Sequence, residues 1–126
     1  MASILLVDDD EQLRTMLSEV LRRAGHQVRE ASDGNQGLRL YEIQPSDLII
    51  TDLVMPGEEG LGMIRKLKRL HPEVKIIAIS GGGRIGPLSK QDYLKMARML
   101  GAQIVLTKPF SNQEILDAVN NMLQAK

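Results

Sequence analysis

Polar side chains that could do chemistry follow four short apolar runs of the sequence. The groups are Asp8-Asp9-Asp10, Thr51-Asp52, Ser80 and Thr107-Lys108. Asp8, Asp9 and Asp52 together with Lys108 carry a formal charge of −2. Such a cluster needs a cation or a shared proton at neutral pH. Carboxylate oxygens are what Mg²⁺ prefers, usually with a phosphoryl oxygen beside them, and a lysine can meet the other pole of that anion. The pattern indicates a site that brings a divalent metal and a phosphoryl group together.

Each of these residues also has a purely structural interpretation. Asp9 or Asp10 could cap the first helix, and Gln12 would complete a capping box with Asp9. The corresponding alternatives are a turn cap for Asp52, a backbone-bonded hydroxyl for Ser80 and a solvated charge for Lys108. The site hypothesis fails only if all of these alternatives hold at once.

The elements that must position these groups can be predicted from hydrophobic patterning. Continuous apolar runs, which are typical of strands buried on both faces, occupy 4–7, 48–50, 76–79 and 104–106, with a weaker candidate at Gln27–Ala31. Helical patterns cover 13–24, 33–43, 58–70, 89 or 90 to 100, and 111–125. Strands alternating with helices predict a parallel sheet with helices on both faces. Ligands of such sheets bind outside the carboxyl ends of the strands, where the polar groups stand.

Composition excludes several other classes of protein. The 126 residues suit one domain, and 16 basic against 16 acidic residues leave no net charge. Neutrality argues against direct nucleic-acid binding, and the absence of cysteine removes disulfides and thiolate sites. No apolar run approaches the length that spans a bilayer, and no signal peptide precedes the first run. We therefore expect a cytoplasmic protein that does not contact a membrane.

The motifs together resemble a known family. Asp8-Asp9, Asp52 followed by Met55-Pro56-Gly57, Ser80 and Lys108-Pro109-Phe110 are similar to the motifs of receiver domains of two-component response regulators, the CheY-like family. The resemblance implies a doubly wound (βα)5 flavodoxin-like fold with a five-stranded parallel sheet in the order 2-1-3-4-5. It also implies a single receiver domain over 1–126 without an output domain.

The resemblance implies a role for each residue at the carboxyl ends of the strands. Asp52 would be the phosphoacceptor that takes a phosphoryl group from a phosphohistidine. Lys108 and Ser80 would contact the phosphoryl oxygens, and the Lys108-Pro109 peptide bond would be cis.

The same resemblance implies a magnesium site, in which Mn²⁺ could substitute. Asp9, Asp52 and the backbone carbonyl of Val54 would be direct ligands, and Asp8 would act through water.

Partners and output are also implied by the resemblance. A sensor histidine kinase or phosphotransfer protein would donate the phosphoryl group, and an output protein would read the resulting conformational switch. A homodimer through the fourth helix, fifth strand and fifth helix is a further option. The domain would catalyse only its own phosphorylation and dephosphorylation, so it would not be an enzyme otherwise. The alternative is a phosphate-independent interaction module with the same fold.

Two features depart from the family pattern. The aromatic switch residue usually stands three positions before the lysine, and here that position is Val105. The glycine-rich stretch 81–88 lengthens the segment after Ser80. It is either a mobile lid or docking loop, or a surface insertion.

Overall fold

A computed structural model describes residues 2–53, 59–80 and 90–124 of the chain. Within these three ranges, five strands and five helices alternate. The strands are β1 (Ser3–Val7), β2 (Gln27–Ala31), β3 (Leu48–Asp52), β4 (Ile76–Ser80) and β5 (Ile104–Thr107). The helices are α1 (Glu11–Arg23), α2 (Gly34–Ile43), α3 (Glu59–Leu70), α4 (Lys90–Leu100) and α5 (Asn112–Gln124). The predicted order of elements is confirmed, including the weakly predicted β2.

All four strand pairings are parallel, and the sheet runs in the order β2-β1-β3-β4-β5. Helices α1 and α5 contact each other on one face, and α3 contacts both α2 and α4 on the other. This is the doubly wound, flavodoxin-like fold that the family resemblance implies, and it confirms the parallel sheet that the patterning predicts.

The continuous apolar runs are explained by burial on both faces of the sheet. Ile4 and Leu6 of β1 pack into the cluster that includes α1 and α5, whereas Leu5 and Val7 pack into the cluster under α2, α3 and α4. All four side chains are fully buried. In a strand that is buried on both faces, apolar residues do not alternate with polar ones. The sequence of β1 therefore lacks the two-residue periodicity of a strand with one exposed face.

Helices α2 and α5 begin one residue later than predicted because their capping side chains lie outside the helices, whereas α1 begins at Glu11, two residues before the apolar pattern. Asp33 accepts a hydrogen bond from the amide of Gln36 at 2.7 Å and precedes α2. Ser111 precedes α5 and forms a capping box with Glu114. Helix α1 ends at Arg23, and Gly25 just beyond its C-cap has a φ of 96°, the left-handed conformation that glycine adopts readily. In the described parts of the chain, no helix is long and apolar enough to cross a membrane.

Candidate functional site

Strand register brings the predicted polar residues to one edge of the sheet. Val7 of β1 is level with Thr51 of β3, so Asp8 and Asp52 follow on neighbouring strands. Ser80 of β4 is level with Thr107 of β5, and Lys108 comes next. Four separate segments therefore converge at the carboxyl edge of the sheet, as the sequence predicts.

Three carboxylates form a compact group at this edge. One carboxylate oxygen from each of Asp8, Asp9 and Asp52 lies within 4.8 Å of the other two. Asp8 and Asp52 are buried, with 1% and 5% of their surface exposed, whereas Asp9 is exposed to solvent. Solvent therefore reaches the group at Asp9, whereas the carboxylates of Asp8 and Asp52 lie below the surface.

Burial raises the pKa of the Asp8 carboxyl to about 6 from its ordinary value of 3.8. The amide of Asp10 and the ammonium of Lys108 oppose this rise, whereas the carboxylates of Asp52 and Asp9 add to it. Asp8 Oδ1 accepts the Asp10 amide at 2.9 Å, but among the described residues Asp8 Oδ2 has no hydrogen-bond partner. A buried carboxylate oxygen without a partner, next to two further carboxylates, fits a hard divalent cation such as Mg²⁺.

Lys108 supplies the positive charge of the site. Its ammonium Nζ lies 3.6 Å from Asp52 Oδ2, and its backbone amide donates to the carbonyl of Ser80 at 2.9 Å. The Lys108-Pro109 peptide bond is cis, as the resemblance implies. The lysine is part of the site and is not a solvated surface charge, and the buried Ser80 is held directly beside it.

The turn after β1 separates the roles of the three consecutive aspartates. Asp10 is the N-cap of α1, because its Oδ1 accepts the amide of Leu13 at 3.1 Å. The structural alternative is therefore confirmed for Asp10. Asp8 and Asp9 belong to the group of three carboxylates, and neither is the N-cap of α1.

Some predictions concern other parts of the chain. Val54, with its backbone carbonyl, and the stretch 81–88 lie outside the described residues.

Val105 is half-buried and packs against the hydrophobic cluster under α2, α3 and α4. An aliphatic side chain packed there provides no aromatic ring that could move between two positions.

Arg14 is a site-proximal residue that the sequence analysis missed. Its guanidinium Nη1 donates to the backbone carbonyl of Asp8 at 2.6 Å, and its Nε pairs with Glu30 at 3.2 Å. Apolar periodicity marks the buried face of α1 and says nothing about where the long polar side chains beside that face reach. No spacing signal could have found this contact.

The fold and the site together define a class: a doubly wound α/β domain with three carboxylates and a lysine at the carboxyl edge of its sheet. The model of the response regulator receiver domain family matches residues 4–120. The chain therefore belongs to the response regulator receiver domain family, a family of signalling domains in two-component systems.

Individual relatives agree with this assignment. The chain is 36% identical over 124 residues to the DNA-binding transcriptional regulator NtrC of Azospirillum brasilense, covering 98% of this chain and 24% of that protein. It is 31% identical to sporulation initiation phosphotransferase F of Bacillus subtilis, covering 98% of this chain and 94% of that protein. A crystal structure of a receiver domain protein from Clostridium thermocellum matches with a TM-score of 0.87 at 30% identity, over 98% of this chain and 94% of that one. The chain thus spans about a quarter of the NtrC relative and nearly all of the other two.

Proposed function

We propose that this chain is a phosphoacceptor: Asp52 takes a phosphoryl group from the phosphohistidine of a sensor kinase or phosphotransfer protein, with Mg²⁺ bound beside it. The observation that carries the proposal is the position of the Asp52 carboxylate, within 4.8 Å of Asp8 and Asp9 oxygens and 3.6 Å from the Lys108 ammonium. A carboxylate is a usable nucleophile once its repulsion with the incoming anion is cancelled.

The transfer step follows from the chemistry of the two groups. An oxygen of Asp52 bonds to phosphorus as the bond from phosphorus to the donor's imidazole nitrogen breaks, and that nitrogen keeps the electron pair. The product is an acyl phosphate on Asp52. Hydrolysis by water later breaks the new oxygen–phosphorus bond and returns the free carboxylate and inorganic phosphate. Phosphoryl transfer depends on alignment and charge neutralisation, and transfer to Asp52 and hydrolysis of the acyl phosphate require the same arrangement.

Each remaining residue has a part in aligning or neutralising the phosphoryl group. Lys108 forms an ion pair with one phosphoryl oxygen, and the Ser80 hydroxyl donates a hydrogen bond to another. Asp9, Asp52 and the backbone carbonyl of Val54 would hold Mg²⁺, with Asp8 acting through water. When bound, the ion neutralises charge on the acidic group and on the phosphoryl oxygens. Mn²⁺ has similar ligand preferences and would substitute.

The signal would leave as a change of conformation and not as a released product. Ser80 ends β4 directly before the stretch 81–88, so a hydroxyl drawn toward a phosphoryl group would pull on that segment. We propose that this pull shifts an existing equilibrium between two packings of α4 and β5. An output protein, or a second copy docking through α4, β5 and α5, would read the change.

The proposal is tested by incubating the protein with acetyl phosphate and measuring the intact mass. We expect a gain of one phosphoryl group that requires Mg²⁺ and is lost when a chelator is added beforehand. Asp52→Asn should abolish the gain, because an amide cannot attack phosphorus. Asp117→Asn, which changes an exposed carboxylate on α5, is the matched control and should label like the wild type.

Labelling that persists in Asp52→Asn would overturn the assignment of the acceptor. A folded wild-type protein that neither labels nor binds Mg²⁺ at millimolar concentration would favour the alternative, a phosphate-independent interaction module.

A further inference from the structure

The turn that carries Asp8 and Asp9 is held by hydrogen bonds from three directions. The Asp8 amide donates to the carbonyl of Ala31 on β2 at 3.1 Å. The Asp10 amide donates to Asp8 Oδ1, and Asp10 in turn caps α1. Among the described residues, no backbone amide of the sheet or of α1 donates to the Asp8 carbonyl, which accepts a hydrogen bond from Arg14 Nη1 at 2.6 Å. Arg14 thus provides the third of the hydrogen bonds that hold the turn.

Arg14 is itself held in place by a second ionic group. Its Nε lies 3.2 Å from Glu30 Oε1, and its side chain is only 16% exposed. The other oxygen of Glu30 lies 3.7 Å from Arg22, whose guanidinium also donates to the carbonyl of Val28 at 3.0 Å. A guanidinium can serve a carbonyl and a carboxylate at once, because its donors form a rigid planar fork. The result is a continuous chain of contacts from the edge strand β2 to the acidic group.

We propose that Arg14, supported by Glu30, is a positioning residue that presents Asp8 and Asp9 to the divalent cation. This inference rests on the proposed function and names a residue outside its ligand set. Asp9 lies between the two anchored residues, Asp8 and Asp10, so its carboxylate can stay near Asp8 and Asp52 only while the turn keeps its shape. Groups that orient metal ligands in this way typically change metal affinity 10- to 100-fold when removed.

The sign of the effect separates positioning from simple electrostatics. Arg14 is a cation near a cation site, so its charge alone would repel Mg²⁺, and its removal would tighten binding. Positioning predicts the opposite, because loss of the guanidinium frees the Asp8 carbonyl and loosens the turn. Glu30 lies against the guanidinium and offsets its charge, which leaves the geometric effect dominant.

The test is a Mg²⁺ titration of the full chain that is monitored by amide NMR. The Tm of each protein is measured in a separate experiment, in the presence of a chelator. We expect Arg14→Met to bind Mg²⁺ about tenfold more weakly than the wild type. Arg14→Lys, which can still donate to the carbonyl, should recover part of the affinity. Arg23→Met removes another α1 arginine that pairs with a carboxylate at the surface, and it should bind like the wild type.

Two results would overturn the inference. One is an Arg14→Met protein that binds Mg²⁺ as tightly as the wild type, or more tightly. The other is a loss of affinity in Arg23→Met equal to that in Arg14→Met. The first result counts against the inference even if Arg14→Met also lowers Tm in chelator, because a residue that stabilises the fold without changing Mg²⁺ affinity is structural only. Failure of the wild type itself to bind Mg²⁺ would instead contradict the proposed function, so the two failures are distinguishable.

Discussion

Asp8→Asn should stabilise the metal-free protein, and the gain should depend on pH. Asparagine keeps the oxygen that accepts the Asp10 amide and removes the buried negative charge. The pKa of Asp8 is raised from 3.8 to about 6 in the folded protein, so between those values the native state holds a proton that the unfolded chain has lost. The wild type therefore loses stability as pH rises through this window, and the variant escapes that loss.

The size of the effect follows from the shift in pKa. The pKa of Asp8 rises from 3.8 to about 6, and each pH unit of that rise corresponds to about 1.4 kcal/mol. The free energy of unfolding of the wild type is therefore lowered by about 3 kcal/mol once the pH is above 6. Well below pH 3.8 both states are protonated and the difference should vanish. For a domain of this length, a gain of that size raises Tm by roughly 10 °C.

The assay is urea unfolding of wild type and variant in chelator, at pH values from 4 to 7.5. The difference in free energy of unfolding should grow from near zero to its full value over that range. Saturating Mg²⁺ at pH 7.5 should then reduce the difference in free energy of unfolding between variant and wild type, because the ion binds the wild type more tightly than the variant. Asp117→Asn, with its exposed carboxylate, is the control and should show no comparable pH-dependent gain.

A constant difference across this pH range, or a variant that is less stable than the wild type at pH 7.5, would refute the reasoning. Either result would mean that the buried carboxylate is compensated in the metal-free protein.

Further predictions concern packing and capping, and urea unfolding checks each of them. Gly37→Ala would place a Cβ 2.8 Å from Val7 Cγ2 and should destabilise the protein by about 1–3 kcal/mol. Gly62→Ala, in α3 with nothing within 4 Å of the added Cβ, should stabilise it by about 0.5–1 kcal/mol; equal effects at the two sites would contradict the packing argument. Gly101→Ala forces a side chain onto a φ of 119° and should cost about 1–3 kcal/mol. Ser111→Ala removes the cap of α5 and should cost about 1 kcal/mol, and no change would show that the cap is dispensable.

Most of the fold could be predicted because the central strands are buried on both faces. Ile4–Val7 reads as an unbroken apolar run since each face of β1 packs under helices. Strand β2 gave a weaker signal because it lies at the edge of the sheet. Its Gln27 is exposed and its Arg29 and Glu30 are half-buried, so its side chains face partly polar surroundings.

The acidic group could be predicted because parallel strands end at the same edge of the sheet. Asp8 follows an apolar run directly, and Asp52 and Lys108 each follow one after a single threonine, so the topology alone brings them together. Which of three consecutive aspartates caps α1 depends on a one-residue difference in the turn, and only the structure assigns that role to Asp10. The contact of Arg14 with Asp8 depends on the path of a long side chain between two elements, which no sequence period records.

The central claim is that Asp52 accepts a phosphoryl group, and mapping that group on the labelled wild-type protein tests it most directly. The protein is treated with acetyl phosphate and Mg²⁺, digested, and its peptides are sequenced by tandem mass spectrometry. We predict a single modified residue, Asp52, and no modified peptide when the metal is withheld. A phosphoryl group found on Asp8, Asp9 or any residue away from this site would contradict the account.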